Sequence, residues 1–180
     1  MTKTPRGFSL PELMIVVGIV LIILSIALPS VGNFTRNYRI AGDARSIAAQ
    51  LALARMRAAS GATKTRLNFN LAANTYKIEV WNQGSSAYQA DTEGGIHGLS
   101  QGIAFGYGTI ATPAGQQGAI AQTSPIYFNS RGIAVDSSGN ATGNSVIYIT
   151  NNGGAYCAVA VSVAGQPTAY KYSGAAWFAF

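Results

Sequence analysis

The chain of 180 residues is short of the side chains that do chemistry. Its single cysteine, Cys157, excludes an intrachain disulfide and any multi-cysteine metal site. Its single histidine, His97, sits in a glycine-rich stretch where Asp91 and Glu93 read as solvated loop charges. Only 10% of the residues are charged, so the surface is polar but sparsely charged, as that of extracellular β-rich proteins often is. There is no nucleophile elbow, Walker loop or zinc spacing. The turn Asp136-Ser137-Ser138-Gly139-Asn140 is too short for an EF-hand calcium loop. These gaps argue against an enzyme, and they leave no catalytic residue, cofactor or metal to name. The formal charge of +6 is too small to imply nucleic acid by itself.

What the chain does have lies at its start. Lys3-Thr4-Pro5-Arg6-Gly7-Phe8-Ser9-Leu10-Pro11-Glu12 runs directly into an uncharged apolar stretch, 13–28. A secretory signal is cut after its apolar region, and Ser25-Ile26-Ala27 offers such a small-x-small site. The junction Gly7-Phe8 lies before the apolar stretch instead, so a cut there removes a basic leader and keeps the helix. Counted from Phe8, the stretch reaches roughly 21 residues, or ~31 Å of helix, enough to cross a bilayer. Lys3 and Arg6 place its start in the cytoplasm, although Arg36 and Arg39 beyond it partly oppose that orientation.

Glu12 is the one carboxylate in this stretch. A charge there is costly unless paired, and intramembrane carboxylates are by default functional. One reading pairs Glu12 with a positive group of another subunit, the nearest candidate being the α-amine that cleavage creates at Phe8. The plainer reading sets Glu12 at the headgroup boundary, favoured by the dipole of a helix N-terminus.

Pro11 is tolerated in a first helical turn, whereas Pro29 predicts a kink extending towards Gly32. Beyond it the helical period resumes at Phe34, Tyr38, Ala41, Ala44, Ile47 or Ala48, Leu51, Ala54 and Ala58. The opposite face carries Arg36, Arg39, Asp43, Arg45, Gln50, Arg55 and Arg57, and Ser60-Gly61 predicts the stop. From Thr63 the period becomes two. Thr65, Leu67 and Phe69 share a face opposite Lys64, Arg66 and Asn68, and Tyr76, Ile78 and Val80 alternate with Lys77, Glu79 and Trp81. Residues 71–74 read as a hairpin connection and 82–102 as a long loop with at most one short element. Further strand signals fall at 103–107, 125–129, 133–135, 146–150, 156–163, 168–172 and 176–180. Cys157, Val159, Val161 and Val163 share one strand face, which makes Cys157 a small core residue.

Two stretches carry a family likeness. Arg6-Gly7-Phe8-Ser9-Leu10-Pro11-Glu12-Leu13-Met14, with its apolar run and Pro29, resembles the class III leader of type IV pilin-like proteins. Ile126-Tyr127-Phe128-Asn129-Ser130-Arg131-Gly132-Ile133-Ala134, with Gly139 and 146–150, resembles the Phe-x-x-x-Gly hairpin of the GspH/FimT branch. The likeness implies an α+β fold in which a long bent N-terminal helix, its first half transmembrane, packs on a C-terminal antiparallel β-sandwich or wrapped sheet. It divides the chain into a leader at 1–7, a transmembrane and filament-core helix at 8–30, an amphipathic continuation at 31–61 and a β-rich domain at 62–180. Prepilin peptidase would cut between Gly7 and Phe8, the Phe8 amine would be methylated, and Glu12 would guide assembly with other pilins or pseudopilins. The protein would be a single-pass inner-membrane subunit with a periplasmic domain, passing into a type IV pilus or a type II secretion pseudopilus. Some FimT-type members bind DNA through arginines near the C-terminus, where this chain offers only Lys171. Arg55, Arg57, Lys64 and Arg66 are further candidates for DNA contact, beside possible stacking aromatics Tyr170, Tyr172, Trp177 and Phe178.

Overall fold

The computed structural model describes residues 9–92 and 94–180. The chain divides into two units, 1–35 and 36–180. One helix, α1 (Leu10–Ser60), contributes to both. In the first unit α1 opens on Ser9, whose carbonyl accepts the N–H groups of Glu12 and Leu13, both at 3.1 Å. Pro11 sits in the first turn, where its missing N–H has no helical partner to lose. The helix continues through Pro29. Among the described residues no helix is long and apolar enough to cross a membrane. The span expected over 8–30 begins outside them, at Phe8.

The second unit is built on the rest of α1. Ile40, Ala44, Ile47, Leu51, Ala54 and Ala58 are buried, a stripe with alternating steps of four and three residues. It starts later than the sequence pattern predicts, because Tyr38 is exposed and Ala41 only half-buried. The helix ends in a Schellman arrangement: the Thr63 N–H reaches the Ala58 carbonyl at 3.2 Å, and Ala62 takes the left-handed conformation at φ 46°. The stop expected at Gly61 therefore rests on Ala62.

Two antiparallel sheets follow. The first contains β1 (Thr65–Asn70), β2 (Thr75–Asn82), β3 (Ala87–Ala90), β4 (Ile96–Gly98), β6 (Ile126–Phe128) and β7 (Ala134–Val135), in the order β3-β2-β1-β6-β7. Strand β4 pairs with the start of β2, on the edge whose far end holds β3. The second sheet has the order β11-β10-β9-β8-β5, from β5 (Ala104–Phe105), β8 (Ser145–Thr150), β9 (Tyr156–Val161), β10 (Pro167–Tyr172) and β11 (Trp177–Ala179). The stretch 82–102, expected as a loop, thus holds two short strands. Its lack of a period reflects edge strands with both faces largely exposed.

One apolar cluster joins the helix stripe to the inner residues of both sheets. Leu67, Phe69, Ile78, Ile126 and Phe128 come from the first sheet, and Ile147, Ile149, Cys157, Val159 and Val161 from the second. Cys157 is fully buried, as its strand pattern predicts, but Val163 lies past the end of β9 and is exposed. The second sheet is covered on its outer face as well. Ala114, Val146, Tyr148, Ala158 and Ala160 form a second cluster with Tyr107, Ile120, Tyr170 and Trp177. The segment 106–124 is held there by amide side chains that imitate a strand. Gln122 exchanges hydrogen bonds with the N–H and C=O of Tyr148, both 2.9 Å, along the open edge of β8. The Tyr148 hydroxyl donates to Gln117 Oε1 at 2.6 Å and accepts from the Ala114 N–H at 2.9 Å.

Candidate functional site

The processing residues Gly7 and Phe8 lie outside the described residues. Glu12 is described, exposed in the first turn of α1, three residues after Ser9. Around it the side chains of Leu10, Leu13, Met14, Ile15, Val16, Val17 and Ile19 are all exposed, and the exposure continues to Leu24. Water is a poor solvent for such a surface, since each large aliphatic side chain left uncovered forgoes about 1.5–3 kcal/mol of burial. Glu12 stands at the start of it, where the helix dipole favours a negative charge.

The basic candidates are spread over α1, the first sheet and the second sheet. Arg55 is on α1, and its Nε–H donates to the Gly132 carbonyl at 3.3 Å. Arg57, also on α1, is ion-paired with Asp91. That pairing corrects the reading of Asp91 as a solvated loop charge. Lys64 and Arg66 lie on the outer face of the first sheet, whereas Lys171 lies on β10 of the second. Arg66 donates to Glu79 at 2.6 Å and stacks over Tyr88, 4.3 Å from its ring centre, with Tyr127 at 5.9 Å. Lys64 sits 5.8 Å from the Trp81 ring, and Trp81 meets Tyr88 edge-on at 5.0 Å.

Glu79 is the hub of this face. It is 5% exposed and receives Arg66, Lys77 at 3.0 Å and Asn68 at 3.3 Å. Burial alone would raise its pKa, but these bonds outweigh burial and hold the carboxyl below its ordinary range. Alternation places Arg66, Asn68, Lys77 and Glu79 together on the outward face, so part of this network was visible as a period of two. Its aromatic partner Tyr88 was not, because it arrives from β3, inside the supposed loop.

The Phe128 to Gly132 motif has a packing explanation. Phe128 is fully buried, and Gly132 turns the chain at φ +73° directly against the aliphatic stem of Arg55. Gly165, at φ +78° in the β9–β10 turn, lies against the Gly132 carbonyl, so close that a methyl group in place of its hydrogen would stand 2.1 Å from that oxygen. Two further contacts were missed: Asp43 accepts from the N–H and hydroxyl of Ser100 at 2.9 and 2.8 Å, and Thr65 donates to the Ala54 carbonyl at 2.8 Å. No local signal could reveal the first, whose partners are 57 residues apart.

The lone histidine, His97, lies on β4, stacked on Tyr76 with ring centres 5.5 Å apart, and its Nε2 is 2.7 Å from the Gly94 carbonyl. Burial pushes the Cys157 thiol up to about 11, so it stays protonated and inert. Among the described residues no group of three His, Cys, Asp or Glu could hold a metal ion.

An exposed apolar stretch of helix in the first unit and, in the second, a buried helix stripe on two antiparallel sheets are the parts of a pilin-like structural subunit. Residues 43–165 match the family described as type II transport protein GspH, and residues 2–28 match the prokaryotic N-terminal methylation motif. The chain belongs to the GspH family, and is a pseudopilin-like structural subunit of the type II secretion/type IV pilus class. Two solved structures of the minor pseudopilin EpsH from the type II secretion system of Vibrio cholerae are similar to it. One is 11% identical, with a TM-score of 0.48 over 74% of this chain and 94% of that one. The other is 9% identical, with a TM-score of 0.42 over 79% and 96%. No curated protein matches the chain.

Proposed function

We propose that this protein is a non-enzymatic minor pilin that sits near the tip of a type IV pilus and helps to initiate its assembly. The observation that carries the reading is the exposed apolar surface from Leu10 to Leu24, with Glu12 at its start, inside a match to the methylation motif. Such a surface needs lipid before assembly and other helices after it. Prepilin peptidase cuts between Gly7 and Phe8, and the subunit is held as a single pass in the inner membrane, with residues 62–180 in the periplasm, until it enters the filament. Glu12 then meets the methylated α-amine of a neighbouring subunit, and the pair loses its charge to the outside only on docking.

A second reading, minor pseudopilin H of a type II secretion system, is favoured by the description of the matching family. Both machines use the same helix chemistry, so the partners decide. Cross-linking the full chain in its native membrane and identifying what co-purifies is the test. Pilus subunits alone would support the first reading, secretion subunits alone the second, and recovery of the chain by itself would refute both.

A further inference from the structure

Arg36 and Arg39 run against the charge rule that orients the helix, because they stand on the side that should be poor in cations. Both are exposed on α1, and neither has a carboxylate partner among the described residues. Lys171 lines the same open groove as Asn37, and it too has no carboxylate partner among them. Arg36 and Arg39 stand where α1 enters the second unit, and Lys171 shares its groove with Asn37, the residue that follows Arg36. Asp43, the acidic residue next along the helix, is occupied by Ser100. Arg45 is occupied too, its guanidinium lying 4.8 Å from the Phe180 ring centre. Between the arginines Tyr38 is 65% exposed, an aromatic of the kind that settles at a membrane–water interface.

Helical Cα–Cβ bonds tilt towards the N-terminus, so Arg36, Tyr38 and Arg39 lean back along α1 towards its apolar stretch. We propose that Arg36, Arg39 and Lys171, with Tyr38, form a collar that binds the anionic phospholipid headgroups of the leaflet facing the globular unit. The collar seats that unit on the bilayer before assembly and lets go when the subunit is drawn out. This rests on the reading of α1 as a membrane helix. Each basic side chain near an anionic surface contributes a factor of about five in binding, and salt weakens all of them together. Attachment of this kind is firm at rest and breaks without chemistry.

The test reconstitutes the full chain in vesicles of phosphatidylcholine, alone or mixed with phosphatidylglycerol. Energy transfer is read from a dye on Ala175→Cys, in the exposed turn next to the groove, to a headgroup-labelled lipid. The buried Cys157 does not compete for the dye. Transfer should be higher on the anionic vesicles, fall as salt rises, and be lost in Arg36→Gln/Arg39→Gln/Lys171→Gln. Arg36→Lys/Arg39→Lys, which keeps the charge, should retain it. Equal transfer on both vesicles, or wild-type transfer in the triple variant, overturns the proposal. So does a triple variant that keeps its lipid response but loses its neighbours in the membrane, because the collar would then serve an acidic face of another subunit. Resistance to carbonate extraction separates the two readings. A chain that washes off refutes the membrane helix, whereas an inserted chain indifferent to lipid charge refutes only the collar. Circular dichroism checks that the variants are folded.

Discussion

Arg55 reaches across 77 positions of sequence to hydrogen-bond the carbonyl oxygen of Gly132. Its stem fills the space beside Gly132 and Gly165, while Gly165 rests on the same carbonyl oxygen. The three residues clamp α1, the β6–β7 turn and the β9–β10 turn together. Gly165→Ala combines a left-handed φ with a contact against backbone that cannot move aside, so it should cost more than ~2 kcal/mol. Gly132→Ala shares the left-handed φ, but it presses on a flexible side chain at 3.1 Å and meets backbone only at 3.4 Å, so it should cost less. Arg55→Ala should cost about 1–2 kcal/mol through the bond and the packing lost. Urea unfolding of the three variants checks the order, and equal effects would show that the clamp is not the cause.

Acid should loosen the outer face of the first sheet. The folded Glu79 carboxyl lies below its ordinary value of 4.5, so the folded state favours the charged form. That stability is complete above the unfolded pKa and is lost as pH falls through the folded one. Glu79→Gln should be less stable than the wild type at neutral pH, yet change less between pH 6 and 3. Thermal midpoints across that range decide it, and parallel curves would count against Glu79.

Cys157 should behave in the opposite sense. Its ordinary thiol pKa of 9.0 is raised to about 11 in the fold, so the folded state keeps a proton that the unfolded state loses. The contribution is complete below pH 9 and disappears as pH rises towards 11. At neutral pH the thiol should react with a disulfide reagent only when denaturant is added. Prompt labelling of the native protein would contradict its burial.

The leader makes a prediction of mass. Protein taken from its native membrane should lack residues 1–7 and carry one extra methyl group, whereas a mature terminus at Leu28 would mean a conventional signal. Glu12→Ala should still enter the membrane but be lost from filaments or tip complexes. Normal incorporation of that variant would make the carboxylate incidental.

The order and type of the main elements were legible because they are local. Leu67 and Phe69 alternate with Arg66 and Asn68, and Ala44, Ile47, Leu51, Ala54 and Ala58 repeat at helical spacing, whatever they pack against. The exposed run around Glu12 was likewise readable, since an uncharged stretch announces itself in any context. Strands β3 and β4 were hidden because edge strands bury neither face strongly and so write no period. The segment 106–124 was hidden for a related reason. Its hold on the second sheet comes from Gln117 and Gln122, polar side chains that look like loop until the β8 edge is placed beside them.

By itself, then, the sequence determined a helix, its apolar beginning and a set of alternating strands, because these depend on the spacing of neighbours along the chain. Tertiary structure alone decided which charges are engaged and which stand open. Arg55, Arg57 and Arg66 find Gly132, Asp91 and Glu79 only once distant segments meet, while Arg36, Arg39 and Lys171 have no carboxylate beside them among the described residues. An ion pair is a matter of distance in space, and spacing in sequence does not encode it.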